Sequence, residues 1–453
     1  MEEKLETIVS APSVALEKGI DVTNRLYKEA ASLPPLQHAR GYWTNLGPGL
    51  VTGAADDDPS GITTYSQAGA HYGYQLLWLS WFTFPLMAVV QEMCARIGLT
   101  TGRGLAGNIR INYPRWVLYL CAGLLFVANT LNIGADIGAM AAATKLLVPS
   151  AHFGLLAFGF MVFTLSLQIF TPYEQYAKYL KYLVLVLFSY VAAAFAAHLE
   201  PGAFLHGLMK PAITFSKEQF VMITAILGTT ISPYLFFWQT SHEVEEEILH
   251  GKTTIRLREV TNNAEIRKMR VDVWIGMFLS NLVMFFIIAT CAATLFTHGI
   301  TNITTAADAA LALRPLAGDQ AFFLFAIGII GTGLLAIPVL AGSAAYTIAE
   351  SFHWRSGLYR KLHTARAFYG VIIFSMVIGY LLNFIGIDPI KMLIYSAVGN
   401  GLVAPVILFL IVRMTSNKKV VKERTNHPVI ASLGWVAILI MVVSGIATIF
   451  SFF

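Results

Sequence analysis

Along the chain, apolar runs of about the length that crosses a bilayer (roughly 20 residues) alternate with short polar connections. Eleven can be marked, near residues 46–70, 75–97, 116–145, 152–171, 181–199, 218–241, 271–297, 319–350, 367–386, 391–412 and 431–452. Each is expected to be a transmembrane helix, because a helix satisfies its own backbone polar groups in hydrocarbon. The first 42 residues are polar throughout and lack the apolar centre of a secretory signal. They are expected to form a cytoplasmic arm with helical stretches.

Two of the runs are interrupted at their centres. The first carries GAADDDPSGI, with Gly53, Pro59 and Gly61 around three consecutive carboxylates. The sixth carries ILGTTISPYLFFW, with Gly228 and Pro233. A proline removes a helical hydrogen bond and clashes with the preceding turn. Backbone freed in this way is tolerated at membrane depth only where it faces protein or a water-filled cavity. A single such kink is common and often carries no ligand. Pro59 and Pro233, however, lie 174 positions apart, at matching places in two five-run halves. That arrangement predicts inverted repeats with a substrate site at the midplane. The expected organisation is an arm at 1–42, a first five-helix repeat at 43–199 and an external loop at 200–217. A second, inverted repeat at 218–412, a cytoplasmic loop at 413–430 and an eleventh helix at 431–453 complete it.

Composition supports the membrane assignment: 56% of residues are hydrophobic and 13% charged, about half the charged share of soluble domains. With the arm placed inside, 26 of the 31 Lys and Arg fall on the cytoplasmic side and five outside. This follows the positive-inside rule, puts the C-terminus outside, and excludes nucleic acid as the explanation of the net charge of +5. The longest inside loop, SHEVEEEILHGKTTIRLREVTNNAEIRKMR, reads as a solvated face. Cys94, Cys121 and Cys291 lie in apolar runs without metal-ligand spacing and are expected to be buried hydrophobes. Glu92 and Arg96 are spaced as an i,i+4 pair. His71, His152 and His298 are expected to be solvated, and Tyr65 and Gln67 either to line the path or to pack.

An aspartate beside unwound backbone suits a hard cation, because carboxylate and carbonyl oxygens can replace hydration water. It also suits proton uptake, and an intramembrane carboxylate is a functional candidate by default. Magnesium-diphosphate chemistry would need a second aspartate-rich cluster, and Asp136 stands alone in NIGADIGA. Intramembrane aspartyl proteolysis would need Y-D and G-x-G-D motifs, which are missing. An enzyme is therefore not expected.

GPGLVTGAADDDPSGITTYSQAGAHYGYQLLW resembles the first span of the NRAMP family of divalent metal transporters. The similarity continues through QEMCARIGLTTG, NIGADIGAMAAA, ILGTTISPYLFF and GTGLLAIPVLAG. It implies an all-α integral membrane protein with the LeuT-type fold: two inverted five-helix repeats plus an eleventh helix, unwound in helices 1 and 6. On that resemblance Asp58 matches the metal-binding aspartate, Thr229 the residue that donates a backbone carbonyl, and Ser232 stands in place of the family's methionine thioether. Gly61 stands where an asparagine ligand is expected, and Tyr234 where a histidine is assigned to proton traffic. Asp136 keeps one acid of span 3 but Ala139 loses the following glutamate, and Arg366 matches an arginine of span 9. The glutamine of span 10 falls at Ala397, with Asn400 one turn on. Ala55, Gly61, Tyr234 and Asn400 are thus site-lining candidates. Asp56, Asp57, Asp136 and Arg366 are candidates for a vestibule or proton path, with Asp136 and Arg366 also able to pair.

Loss of the soft thioether leaves an all-oxygen site, which suits Mg²⁺, as in the NRAMP-related magnesium transporters. Glycine at position 61 is expected to leave room for a partly hydrated ion. The expected activity is secondary transport of Mg²⁺, with Mn²⁺ as a further substrate, across the cell (inner) membrane, with weak or absent proton coupling. The metal is cargo and no cofactor is expected. Lipid and the divalent ion are the expected partners, and a monomer is sufficient. The rivals are a LeuT-type carrier of an organic solute and a proton-coupled Mn²⁺/Fe²⁺ symporter.

Overall fold

The computed structural model describes residues 47–171, 188–196, 201–211, 213–214, 216–314 and 318–451. The expected arm at 1–42 lies outside them, as does most of the fifth run. Within the described residues the chain is helical and contains no strand. Among the described residues, eight helical stretches are long and apolar enough to cross a membrane.

The first run is split. Helix α1 (Pro48–Asp56) stops at the triple aspartate and α2 (Pro59–Tyr72) starts one residue after it. Proline is favoured at the first position of a helix, where the missing N–H costs nothing. Asp58 caps α2, its side chain accepting from the Gly61 N–H. Then follow α3 (Trp78–Thr101), α4 (Arg115–Leu147), α5 (Phe153–Phe170) and α6 (Phe188–Ala196). The sixth run is split in the same manner, into α7 (Lys217–Thr230) and α8 (Pro233–Leu249), with Ile231 and Ser232 outside the helices. The remaining spans are α9 (Asn263–Thr294), α10 (Ala321–Ser351), α11 (Arg366–Leu382), α12 (Pro389–Thr415) and α13 (Pro428–Ser451).

The broken spans are central because glycines let them approach their neighbours. A Cβ on Gly53 would lie 2.3 Å from the Gly276 carbonyl oxygen of α9, and one on Gly228 would lie 2.1 Å from the Ala397 oxygen of α12. Small residues at such crossings are how membrane helices gain packing without a hydrophobic driving force between them. The periphery is apolar. Leu155, Phe170, Phe195 and Phe450 are each more than 70% exposed, a surface that only lipid would cover.

Polar ties hold the halves of the first span separately. On α1, Gly49 N–H donates to Asp272 Oδ2 of α9 (2.7 Å) and Thr52 Oγ1 to Gln239 Oε1 of α8 (2.5 Å). On α2, Gln67 Oε1 accepts from Ile303 N–H (2.8 Å), and Gln67 Nε2 donates to the Thr301 carbonyl (3.3 Å). Gln67 is therefore a tether between α2 and the loop after α9.

Several local expectations hold. The three cysteines are buried and free, and His71, His152 and His298 are exposed. Glu92 and Arg96 pair at 2.7 Å. Glu92 also accepts from Arg270 (3.0 Å) and from the Trp274 indole (2.8 Å), so it ties α3 to α9. The long inside loop differs from expectation. Its first part continues α8, and Glu243, Glu245, Glu247 and Arg258 are buried, because the helix end packs between neighbouring loops instead of standing in water.

Candidate functional site

The two breaks place Asp57, Asp58, Ile231 and Ser232 outside the helices at the centre of the bundle. Asp58 is buried. Its Oδ1 accepts from Gly61 N–H (2.6 Å) and from Ser60 Oγ (2.8 Å). Its Oδ2 accepts from Asn132 Nδ2 of α4 (2.8 Å), and Asn132 Oδ1 in turn accepts from Ser396 Oγ of α12 (2.8 Å). Three donors suit an ionised carboxylate. Each carboxylate oxygen has two lone pairs, so Oδ1 is filled while Oδ2 retains one for a ligand.

Asn132 and Ser396 were not singled out from the sequence. A signal existed for Asn132, which lies one helical turn before Asp136 and hence on the same face. Ser396 carried none beyond its neighbour Ala397.

Across the site, Ser232 Oγ donates to the Gly228 and Thr229 carbonyls, both at 2.6 Å. Position 232 is thus hydroxyl-bearing, but here its proton is turned onto the very carbonyl assigned to metal. The Thr229 carbonyl has a second lone pair, which a helical N–H does not take because the residue four on is Pro233. Thr229 Oγ1 bonds Tyr65 Oη (3.2 Å), which joins the two broken spans and makes Tyr65 part of the site. Tyr234 Oη donates to the Ala55 carbonyl (2.7 Å), closing the gap between α8 and the end of α1. A phenol with an ordinary pKa near 10 does not exchange protons as an imidazole does near neutrality.

Gly61 does not provide the expected room. A Cβ there would lie 3.1 Å from the Asp56 carbonyl oxygen and 3.4 Å from Asp58 Oδ1. The capping turn draws residue 61 onto the aspartate, so its small size serves the cap.

Asp56 and Asp57 are fully buried, and neither faces a water-filled vestibule in this conformation. Asp56 Oδ2 accepts from Ser280 Oγ of α9 (2.9 Å), while among the described residues both Asp57 oxygens lack a hydrogen-bond partner. Both Asp136 oxygens likewise lack one. Asp136 is not paired with Arg366, which is exposed at the first residue of α11. The chain enters that helix from the loop end, whereas Asp136 lies within α4. Asn400 is buried with neither side-chain atom hydrogen-bonded. Among the described residues, no three His, Cys, Asp or Glu side chains converge as a metal cluster.

Residues 49–451 match the model of the family described as natural resistance-associated macrophage protein-like, Nramp. The Klebsiella pneumoniae protein named divalent metal cation transporter MntH is 27% identical over 405 residues, which span 88% of this chain and 91% of that one. Among solved structures, an Eremococcus coleocola manganese transporter, crystallised with an aromatic bis-isothiourea substituted compound, superposes with a TM-score of 0.74. It is 17% identical and covers 91% of this chain and 88% of that one. Mhp1, a nucleobase-cation-symport-1 family transporter in a closed conformation with bromovinylhydantoin bound, gives a TM-score of 0.56. It is 14% identical and covers 90% of this chain and 91% of that one. At these identities the likeness shows the fold, which is LeuT-type.

Proposed function

This chain belongs to the Nramp family, and from that premise we propose that it is a secondary transporter of divalent metal cations that prefers Mg²⁺ and also accepts Mn²⁺. It works by alternating access in the cell membrane, with little or no proton coupling. The N-terminus is cytoplasmic and the C-terminus external. The two repeats occupy 43–199 and 218–412. Transport of a divalent cation is what the K. pneumoniae relative is named for.

The observation that carries the reading is the Asp58 carboxylate at the first break, whose span is joined to the second broken span by Tyr234 Oη on the Ala55 carbonyl and Thr229 Oγ1 on Tyr65 Oη. Asp58 supplies the one charged ligand through Oδ2. The Ala55 and Thr229 carbonyls and the Ser232 hydroxyl supply neutral oxygens through lone pairs that their present hydrogen bonds leave unused. Oxygen donors without sulfur favour a hard ion. Mg²⁺ keeps several waters and needs only one or two carboxylates, which matches a site with one. Weak proton coupling is supported by Tyr234, a poor exchanger that is tied to the Ala55 carbonyl.

The test is uptake into proteoliposomes containing Mg²⁺-, Mn²⁺- or Cd²⁺-sensitive dyes together with a pH probe. The expected result is saturable Mg²⁺ entry without acidification, lost in Asp58→Ala. Cd²⁺ or Mn²⁺ entry with acidification, and none of Mg²⁺, would refute the preference and the coupling. Flat traces for every divalent ion would refute metal transport.

A further inference from the structure

At the face of the bundle that carries the cation-rich loops, a cavity of ≈ 310 Å³ opens between the loop after α3 and the last turns of α8. The short helix Ile255–Arg258 and the segment after α10 complete its walls. Its size is near the lower end for small-molecule sites, which run from roughly 300 to 1,000 Å³. Five arginines line it, Arg103, Arg110, Arg258, Arg355 and Arg360, against two glutamates, Glu245 and Glu350.

Both glutamates are engaged in holding the walls. Glu245 Oε1 accepts from Leu358 N–H (2.7 Å) and from the Tyr346 hydroxyl, and Oε2 accepts from Tyr359 N–H (3.2 Å). Glu350 Oε2 accepts from Gly107 N–H (2.8 Å), and its backbone carbonyl accepts from Arg110 Nη1. The arginines are held by only part of each guanidinium. Arg103 uses Nη1, on the Thr101 carbonyl and Glu259. Arg258 uses Nε and Nη1, on the Gly102, Lys252 and Thr253 carbonyls. Arg360 uses Nε, on the Ser356 carbonyl. Among the described residues, Nη2 of Arg103, Arg110 and Arg258 and both terminal nitrogens of Arg360 meet no acceptor. Burial draws the guanidiniums of Arg110 and Arg258 below their ordinary pKa, so these two cations lack full solvation.

An excess of partly desolvated positive charge with unused planar donors fits a multiply charged oxyanion. A carboxylate satisfies one guanidinium fork. A phosphate presents three terminal oxygens and close to two charges, enough for several forks together. We propose that this cavity binds a phosphate-bearing small molecule, either inorganic phosphate or the phosphates of a nucleotide, through Arg103, Arg110, Arg258 and Arg360. Its wall includes the end of α8, the helix that starts at the second break. A bound anion ties that helix to the loops after α3 and α10 and biases alternating access toward the conformation in which they face one another. This last consequence rests on the transporter reading; the binding does not.

The experiment is equilibrium dialysis of the full chain in nanodiscs, without divalent metal, against labelled inorganic phosphate, ATP and adenosine. The expected result is saturable, salt-sensitive binding of the phosphate-bearing probes and none of adenosine. ATP binding more tightly than phosphate identifies a nucleotide as the source, and equal affinity identifies phosphate. Arg360→Gln and Arg103→Gln are each expected to weaken binding about tenfold or more. Arg360 is the safer variant for folding, since among the described residues its terminal nitrogens meet no hydrogen-bond acceptor and the guanidinium lies over the neighbouring Tyr359 ring (4.8 Å). Asp58→Ala is expected to bind phosphate as the parent does, which separates this site from transport. Absence of saturable binding, equal binding of adenosine, or affinity unchanged in both arginine variants would overturn the proposal.

Discussion

Asn132→Ala removes the one donor among the described residues that reaches Asp58 from another span. The bond is 2.8 Å long, and Asn132 is fully buried. Water therefore does not replace the amide as it would at a surface. A hydrogen bond to a charged group contributes about 1.5–3 kcal/mol, and a decade of affinity corresponds to about 1.4 kcal/mol. If Asn132 positions Oδ2 for the ion, its loss raises the half-saturating metal concentration about 10- to 100-fold, the range found for groups that orient metal ligands. The maximal rate changes little, because the charged ligand remains. Ser396→Ala removes the neutral bond that orients Asn132 (2.8 Å), together with one to the Leu393 carbonyl in its own helix, and is expected to raise the same quantity about 2- to 10-fold. The assay is initial-rate uptake against metal concentration in proteoliposomes, with thermal unfolding to verify that each variant folds. An unchanged half-saturating concentration would refute the positioning role. A lower one would show that the amide competes with the ion for Oδ2.

Four further outcomes are expected. Ser232→Met restores a thioether and raises Cd²⁺ uptake relative to Mg²⁺; competition between the two ions reads it, and an unaltered ratio counts against the hard-site argument. Gly53→Ala drives a Cβ to 2.3 Å from a backbone oxygen and lowers stability by about 1–3 kcal/mol or more, whereas Gly123→Ala, with nothing within 4 Å, does not; unfolding of both in one detergent compares them. Glu92→Ala leaves the buried Arg96 charge with the neutral Asn426 amide and Arg424 carbonyl in place of its carboxylate and costs about 3–5 kcal/mol, read as a lower unfolding temperature. Burial raises the pKa of Glu259, but hydrogen bonds and charge from Lys422 and Arg103 outweigh it and hold the carboxyl below its ordinary 4.5. Its contribution is therefore complete above that value and lost as pH falls through the folded pKa. Glu259→Gln is expected to destabilise slightly at pH 7, with the difference from the parent vanishing in acid.

The paired breaks were legible because proline and glycine act through the local backbone. Pro59 and Pro233, each with a glycine nearby, stand where a helix restarts, whereas Pro85, Pro338 and Pro405 lie inside continuous helices. The membrane spans were legible for a similar reason, since hydrocarbon imposes length and polarity on each segment independently. The N-cap role of Asp58 is also local, from a residue to one three places on.

What tertiary structure decided is which side chains meet across spans. Asn132 reaches Asp58 from 74 positions away, and Ser396 reaches Asn132 from 264, distances over which no periodicity carries information. Gly61 looked like an opening and is a tight turn, because the cap folds the backbone onto its own carboxylate. Asp136 and Arg366 looked like partners by charge, yet one lies within a helix and the other at the exposed start of another. Sequence determined where the helices stop, since that is set by bonds a few residues apart. Only the packed bundle decided what stands opposite each stop, since that depends on rotation and depth of helices fixed by close contacts such as Gly53 against Gly276.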